Sequence, residues 1–293
     1  MFGRVLTAMV TPFTAEGQVD YGQAWRLAGY LVEHGSDGIV VAGTTGESPT
    51  LTDEEKVALF RTVVEAVGEK AKVIANTGTY DTRESVELSE RAAEVGCHGV
   101  MAVTPYYSRP TQEGLIVHFS TIAESTELPL IVYNIPSRTG RLIEVETLAR
   151  LAEHPRIVAT KDAVGDLGFT TQARNATPPD FAIYCGDDMQ TLPMLAVGGR
   201  GVIAVTTHLA GREMKAMVEA AHQGDWDEAR RLHLGLAPLF QALMTLEPNP
   251  IPVKGALGAL WEPVGEPRSP LTPAKPETIQ AVKEALGHAQ QLL

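Results

Sequence analysis

Cysteine is nearly missing from this chain: Cys97 and Cys185 are the only two in 293 residues. A disulfide framework is therefore excluded for a protein of this size, and small buried thiols in a reducing, cytoplasmic setting are the expectation. Basic charge is also short, with 24 Lys and Arg against 36 Asp and Glu, a net charge of -12 and a pI near 5.1. No cluster of Lys and Arg is left to follow a phosphate backbone, so no nucleic-acid partner is expected. No apolar run reaches the roughly 20 residues that a membrane span needs, and the N-terminus has neither the basic start nor the small-residue cleavage site of a signal peptide, so no membrane partner is expected. Nucleotide loops of the G-x-x-x-x-G-K-[ST] or G-x-G-x-x-G kind are absent, which argues against a nucleotide cofactor. The eight histidines, His34, His98, His118, His154, His208, His222, His233 and His288, show no ligand spacing. Only His208 falls near a strand end, and neither a metal nor any other cofactor is expected.

What the chain does have is 44% hydrophobic residues, enough for a large core. They fall in short β-branched runs that alternate with amphipathic stretches. Strands are predicted at 4–10, 38–42, 72–76, 99–103, 130–133, 157–161, 181–185 and 201–205. Helices are predicted at 21–34, after the Thr52-x-x-Glu55 capping box, after Asp81, after Thr111, and at 144–153, 189–197 and 212–222. Eight strand–helix units in about 225 residues predict an α/β fold, a closed (β/α)8 barrel, in preference to an open doubly wound sheet. Further helices at 226–245, 253–261 and 277–292 form an appended C-terminal layer. The expected division is a catalytic barrel over 1–224 and a helical extension over 225–293.

In such a barrel the chemistry lies at the C-terminal strand ends. Of the eight lysines, Lys56, Lys215 and Lys283 are expected on polar helix faces, Lys70 and Lys72 before a strand, and Lys254 and Lys275 in proline-containing stretches. Lys161 alone ends a core strand. An amine in apolar surroundings loses its proton more easily and can attack a carbonyl carbon, although a strand-end lysine can equally reach solvent or pair with Asp162. Around it the other strand ends bring Thr44 and Thr45, Tyr106 and Tyr107, Tyr133, Arg138, Gly186 to Asp188, and Ile203 to Thr207. Gly43-Thr44-Thr45-Gly46 can cradle a small carboxylate or be a plain glycine turn. Tyr133 can move protons to a leaving hydroxyl or be a core tyrosine. Arg138, in a loop after a proline, can hold a second carboxylate with its planar fork or be solvated. Gly198-Gly199-Arg200-Gly201 precedes a strand and reads as a helix-ending turn at the opposite rim.

Taken together, Gly43-Thr44-Thr45-Gly46-Glu47-Ser48, Val103-Thr104-Pro105-Tyr106-Tyr107, Tyr133-Asn134-Ile135-Pro136-Ser137-Arg138-Thr139-Gly140, Thr160-Lys161-Asp162 and Asn249-Pro250-Ile251-Pro252-Val253-Lys254 resemble the dihydrodipicolinate synthase family, within the pyruvate-dependent class I aldolases and lyases. The resemblance runs nearly end to end. It implies that Lys161 forms an imine with pyruvate, whose carboxylate rests on Thr44, Thr45 and the Ile203 backbone. It implies that Tyr133 carries the proton, with Tyr107 of a neighbouring subunit completing a relay through Thr44. Arg138 then binds the carboxylate of aspartate semialdehyde, and Gly186 belongs to the substrate site. A homo-oligomer follows, a dimer for Tyr107 and a tetramer by family habit, in a cytoplasmic lyase of diaminopimelate and lysine biosynthesis. Another pyruvate aldolase with a different aldehyde, or a non-catalytic keto-acid-binding barrel, are the alternatives. Feedback-inhibited members bind lysine. This chain keeps Ser48, Glu84 and Tyr106 of that pocket but has Asp53, Lys56 and Tyr80 where such members carry two His and an Asn, so weak or absent inhibition is expected.

Overall fold

The computed structural model describes residues 2–291. Eight strands close into one parallel barrel in chain order: β1 (Val5–Ala8), β2 (Gly38–Val41), β3 (Lys72–Asn76), β4 (Gly99–Val103), β5 (Leu130–Asn134), β6 (Ile157–Asp162), β7 (Ala182–Cys185) and β8 (Gly201–Ala204). β8 returns to β1 through the pairs Val5 with Val202 and Leu6 with Ile203. Every strand is four to six residues long and almost wholly buried, as parallel strands covered on both faces must be.

Alternation along the strands divides the apolar side chains into two cores. Leu6, Val40, Ile74, Met101, Ile131, Tyr133, Ala159, Tyr184 and Ile203 fill the barrel interior, while Val5, Ile39, Val73, Val100, Val132, Ile183 and Val202 face the helices. The outer ring is α1 (Tyr21–Glu33), α2 (Asp53–Val67), α3 (Thr82–Glu94), α4 (Gln112–Glu124), α6 (Val145–Leu151), α7 (Leu167–Ala176), α8 (Thr191–Ala196) and α9 (Thr207–Gln223). Local signals set most of their starts. Asp20 accepts a bond from the Gln23 amide and Thr111 from the Gly114 amide, and Thr52 with Glu55 makes the full capping box. α10 (Trp226–Thr245), α11 (Ile251–Leu260) and α12 (Pro276–Gln291) form the extra layer. Of the helix expected over 277–292, residue 292 lies outside the described residues.

Three elements differ from expectation. α7 was not predicted, because Gly168, Thr170, Thr171 and Asn175 weaken its local preference. Burial of Phe169 and Ala173, with an N-cap from Asp166 to the Gly168 amide, forms it nonetheless. Arg138 lies not in an open loop but on a single helical turn, α5 (Pro136–Thr139), opened by a proline and closed by Gly140 at φ +71°. α9 begins at Thr207, earlier than the predicted 212, and bends at Ala210. None of the described helices is long and apolar enough to cross a membrane.

Candidate active site

Lys161 and Tyr133 are direct partners in the register of β6 and β5. Both point into the barrel, Tyr133 by its place in the interior core and Lys161 by alternation from Ala159. They are 5% and 3% exposed, and the lysine Nζ lies 4.4 Å from the centre of the phenol ring. Asp162 points the other way, toward α7, where it accepts bonds from Thr170 Oγ1 at 2.7 Å and the Val164 amide at 3.0 Å. Pairing of Lys161 with Asp162 is thus ruled out by strand alternation. Burial raises the Asp162 carboxyl above its ordinary range.

Lys56, Lys161 and Lys254 are the buried lysines among the described residues. Lys56 was expected on a polar face. Asp53 at 3.0 Å and Glu84 at 3.9 Å allow it to be buried instead. Lys254 bonds Glu47 at 2.8 Å. Lys161 has no carboxylate partner and makes no hydrogen bond through Nζ among the described residues, so its amine is available to a ligand.

Gly186 explains itself by space. A Cβ there would come within 3.1 Å of Lys161 Cε and 2.8 Å of Ala163 Cβ, so only glycine leaves the lysine its room. Asp188, fully buried, accepts amide bonds from Val205 and Thr206, fixing the backbone just past Ile203. His208 donates from Nδ1 to the Val205 carbonyl and accepts the Val10 amide at Nε2. It is a structural histidine, and no group of three His, Cys, Asp or Glu among the described residues is placed to hold a metal ion.

Above this floor a cavity of about 240 Å³ is lined by Thr44, Ser48, Asn76, Tyr106, Ile135 and Arg138, among others. Thr44 and Arg138 therefore face one space, and the Arg138 guanidinium bonds no described group. Thr45 is buried behind Thr44, where its Oγ1 accepts from Asn249 Nδ2 at 2.9 Å. Lys161, Tyr133, Thr45, Gly186 and Ile203 are not part of the cavity wall. Thr44 and Tyr133 share no hydrogen bond. Tyr107 stands apart from all of them, 95% exposed at φ +69°. A left-handed tyrosine costs of order 1–2 kcal/mol, strain of the kind that concentrates where function fixes a loop.

The loop after β2 is strained too, with Ala42 at φ +53° and Glu47 at φ +58°. Asn76 Nδ2 holds the Ala42 carbonyl at 3.0 Å, and Thr11 Oγ1 holds that of Gly46 at 2.6 Å. Glu47, Asn76, Asn249 and Lys254 were given no individual role from sequence. The Asn249–Lys254 motif was the visible signal, but only folding shows that it returns to the loop after β2.

A family model described as the dihydrodipicolinate synthetase family matches residues 1–289. The chain is 56% identical to a 4-hydroxy-tetrahydrodipicolinate synthase of Moorella thermoacetica, covering 97% of each, and 53% identical to one of Thermosynechococcus vestitus, covering 97% of this chain and 96% of that one. It is similar in structure to the synthase of Cyanidioschyzon merolae crystallised with lysine bound. The TM-score is 0.96 at 47% identity, over 100% of this chain and 99% of that one.

Proposed function

This chain belongs to the dihydrodipicolinate synthetase family, and from that premise we propose that it is a Schiff-base lyase condensing pyruvate with L-aspartate 4-semialdehyde to 4-hydroxytetrahydrodipicolinate. The observation that carries this reading is Lys161, a buried lysine without a carboxylate partner, beside the Tyr133 phenol. Lys161 Nζ attacks the keto carbon of pyruvate, and Tyr133 protonates the hydroxyl that leaves as water when the imine forms. Loss of a methyl proton gives the enamine, whose carbon attacks the aldehyde. The substrate amine then closes on the imine carbon and expels Lys161, so one water is released in total.

Thr44, Thr45 and the Ile203 backbone hold the pyruvate carboxylate, and Gly186 keeps the space beside Lys161. Arg138, free at the cavity wall, takes the second carboxylate in two parallel bonds. Tyr107 serves the site of a partner subunit in a dimer, and two such dimers make a tetramer. Residues 1–224 act as the catalytic barrel and 225–293 as its extension. The product feeds diaminopimelate and lysine synthesis in the cytoplasm, where two free buried cysteines are at home.

Borohydride with pyruvate should add a reduced pyruvyl group to the Lys161 peptide, and an unmodified peptide in the mass spectrum would count against the route. Across aldehydes, kcat/KM should be highest for aspartate semialdehyde.

Lysine regulation is weak in this reading. The Lys56 ammonium already sits between Asp53 and Glu84, and Tyr80 packs edge-on against Tyr106 at 5.3 Å. A free lysine would meet a like charge there. Activity should stay within about twofold at sub-millimolar lysine, and steep inhibition in that range would refute the reading.

A further inference from the structure

The loop that carries Thr44 and Thr45 does not hold its own shape. It begins and ends on left-handed residues that are not glycine, Ala42 and Glu47, and such a turn persists only when its surroundings impose it. Much of what surrounds it comes from more than two hundred residues further along the chain. Lys254, on α11, reaches into the turn with its Nζ 2.8 Å from Glu47 Oε1, and both side chains are 1% exposed. The same ammonium donates to the carbonyls of Thr11 at 3.0 Å and Glu266 at 3.2 Å, so its three protons are all used. The other Glu47 oxygen accepts the Arg268 amide at 2.8 Å, and the Arg268 guanidinium is in turn fixed on Glu55 and the Thr50 carbonyl. Two residues before α11 begins, Asn249 donates from its side-chain amide to Thr45 Oγ1.

We infer that Lys254 and Glu47 form a buried clamp through which the C-terminal layer positions Thr44 and Thr45, and so sets how tightly the site takes a keto-acid carboxylate. This rests on the reading of those threonines as the pyruvate carboxylate seat. Neither Lys254 nor Glu47 lines the cavity, so both are positioning residues that act through the loop. The geometry also implies the reverse influence: a ligand carboxylate that fixes the threonines should steady α11, because coupling between two sites is reciprocal.

The test combines Glu47→Gln with Lys254→Met, which removes the pair without leaving a buried charge alone. In this double variant the pyruvate concentration giving half-maximal borohydride trapping on Lys161, and with it the pyruvate KM, should rise about tenfold, while the aldehyde KM moves by less than about twofold. A folded variant with an unmoved pyruvate half-saturation overturns the clamp. Should the variant fail to fold, the unaltered enzyme decides: pyruvate should slow amide hydrogen exchange in Ile251–Leu260, and no slowing there overturns the inference. Absence of trapping on wild-type Lys161 overturns the Schiff-base reading and the clamp with it. Trapping of the wild type with no shift in the variant overturns the clamp alone.

Discussion

Lys161 and Tyr133 share one rung of the barrel, and their different surroundings give them different tasks. The lysine has no acid to hold it, and the phenol lies beside it with its hydroxyl bonded to no described group. If the phenol moves the proton of imine formation, Tyr133→Phe should lower kcat roughly 10²- to 10⁴-fold with little change in fold. Steady-state kinetics with a circular dichroism control checks this, and near-normal kcat would shift the proton to another group. Alternation along β5 and β6 turns both side chains inward, whereas the sequence had left Lys161 open to pairing with Asp162. Which of the three buried lysines lacks an acid was not readable, because Glu84 reaches Lys56 and Glu47 reaches Lys254 only in space.

Among the elements, the helix starts were the most legible. The Thr52 capping box is present as both of its bonds, Thr52 Oγ1 accepting the Glu55 amide and Glu55 Oε2 accepting the Thr52 amide. Thr52→Ala should therefore cost about 1 kcal/mol, read as a lower denaturant midpoint with kcat unchanged. A midpoint that does not move would mean that α2 is held by packing alone. α7 teaches the opposite lesson. Its residues prefer no helix strongly, and it exists because Phe169 and Ala173 need cover against the barrel. The single turn at Pro136–Thr139 was hidden for another reason: four residues carry no periodicity, yet that turn is what places Arg138 on the cavity wall.

For the molecule as a whole, buried histidines set the response to acid. Burial lowers both His208 and His118 from the ordinary value of 6.5 to about 4. The unfolded chain therefore takes up protons first, and stability should fall as pH drops from about 6.5 to about 4, by roughly 3 kcal/mol for each histidine. Asp162 and Asp188, raised by burial, act in the opposite sense, losing stability as pH rises through the carboxylate range. Comparison with His208→Gln isolates one contribution: the variant's Tm should depend less steeply on pH across that window. An identical slope would show that His208 does not titrate between the folded and unfolded states. The charge on Nε2 would also displace the Val10 amide that it now accepts, which ties the acid limit to a specific bond at the barrel mouth.

Sequence alone determined the barrel, since eight short, continuously apolar strands joined by helices allow few other closures. Motif order also marked Lys161, Tyr133, Thr44 and Thr45 as candidates, but left open whether the lysine paired with Asp162 and whether the tyrosine was a plain core residue. Tertiary structure decided the partnerships that need distant residues: Asp162 turned to Thr170, Lys56 buried by two acids, and the C-terminal layer brought back onto the loop after β2. The physical reason is that a short β-branched run marks a buried strand locally, whereas an ion pair between Glu47 and Lys254 leaves no pattern until the chain has folded between them.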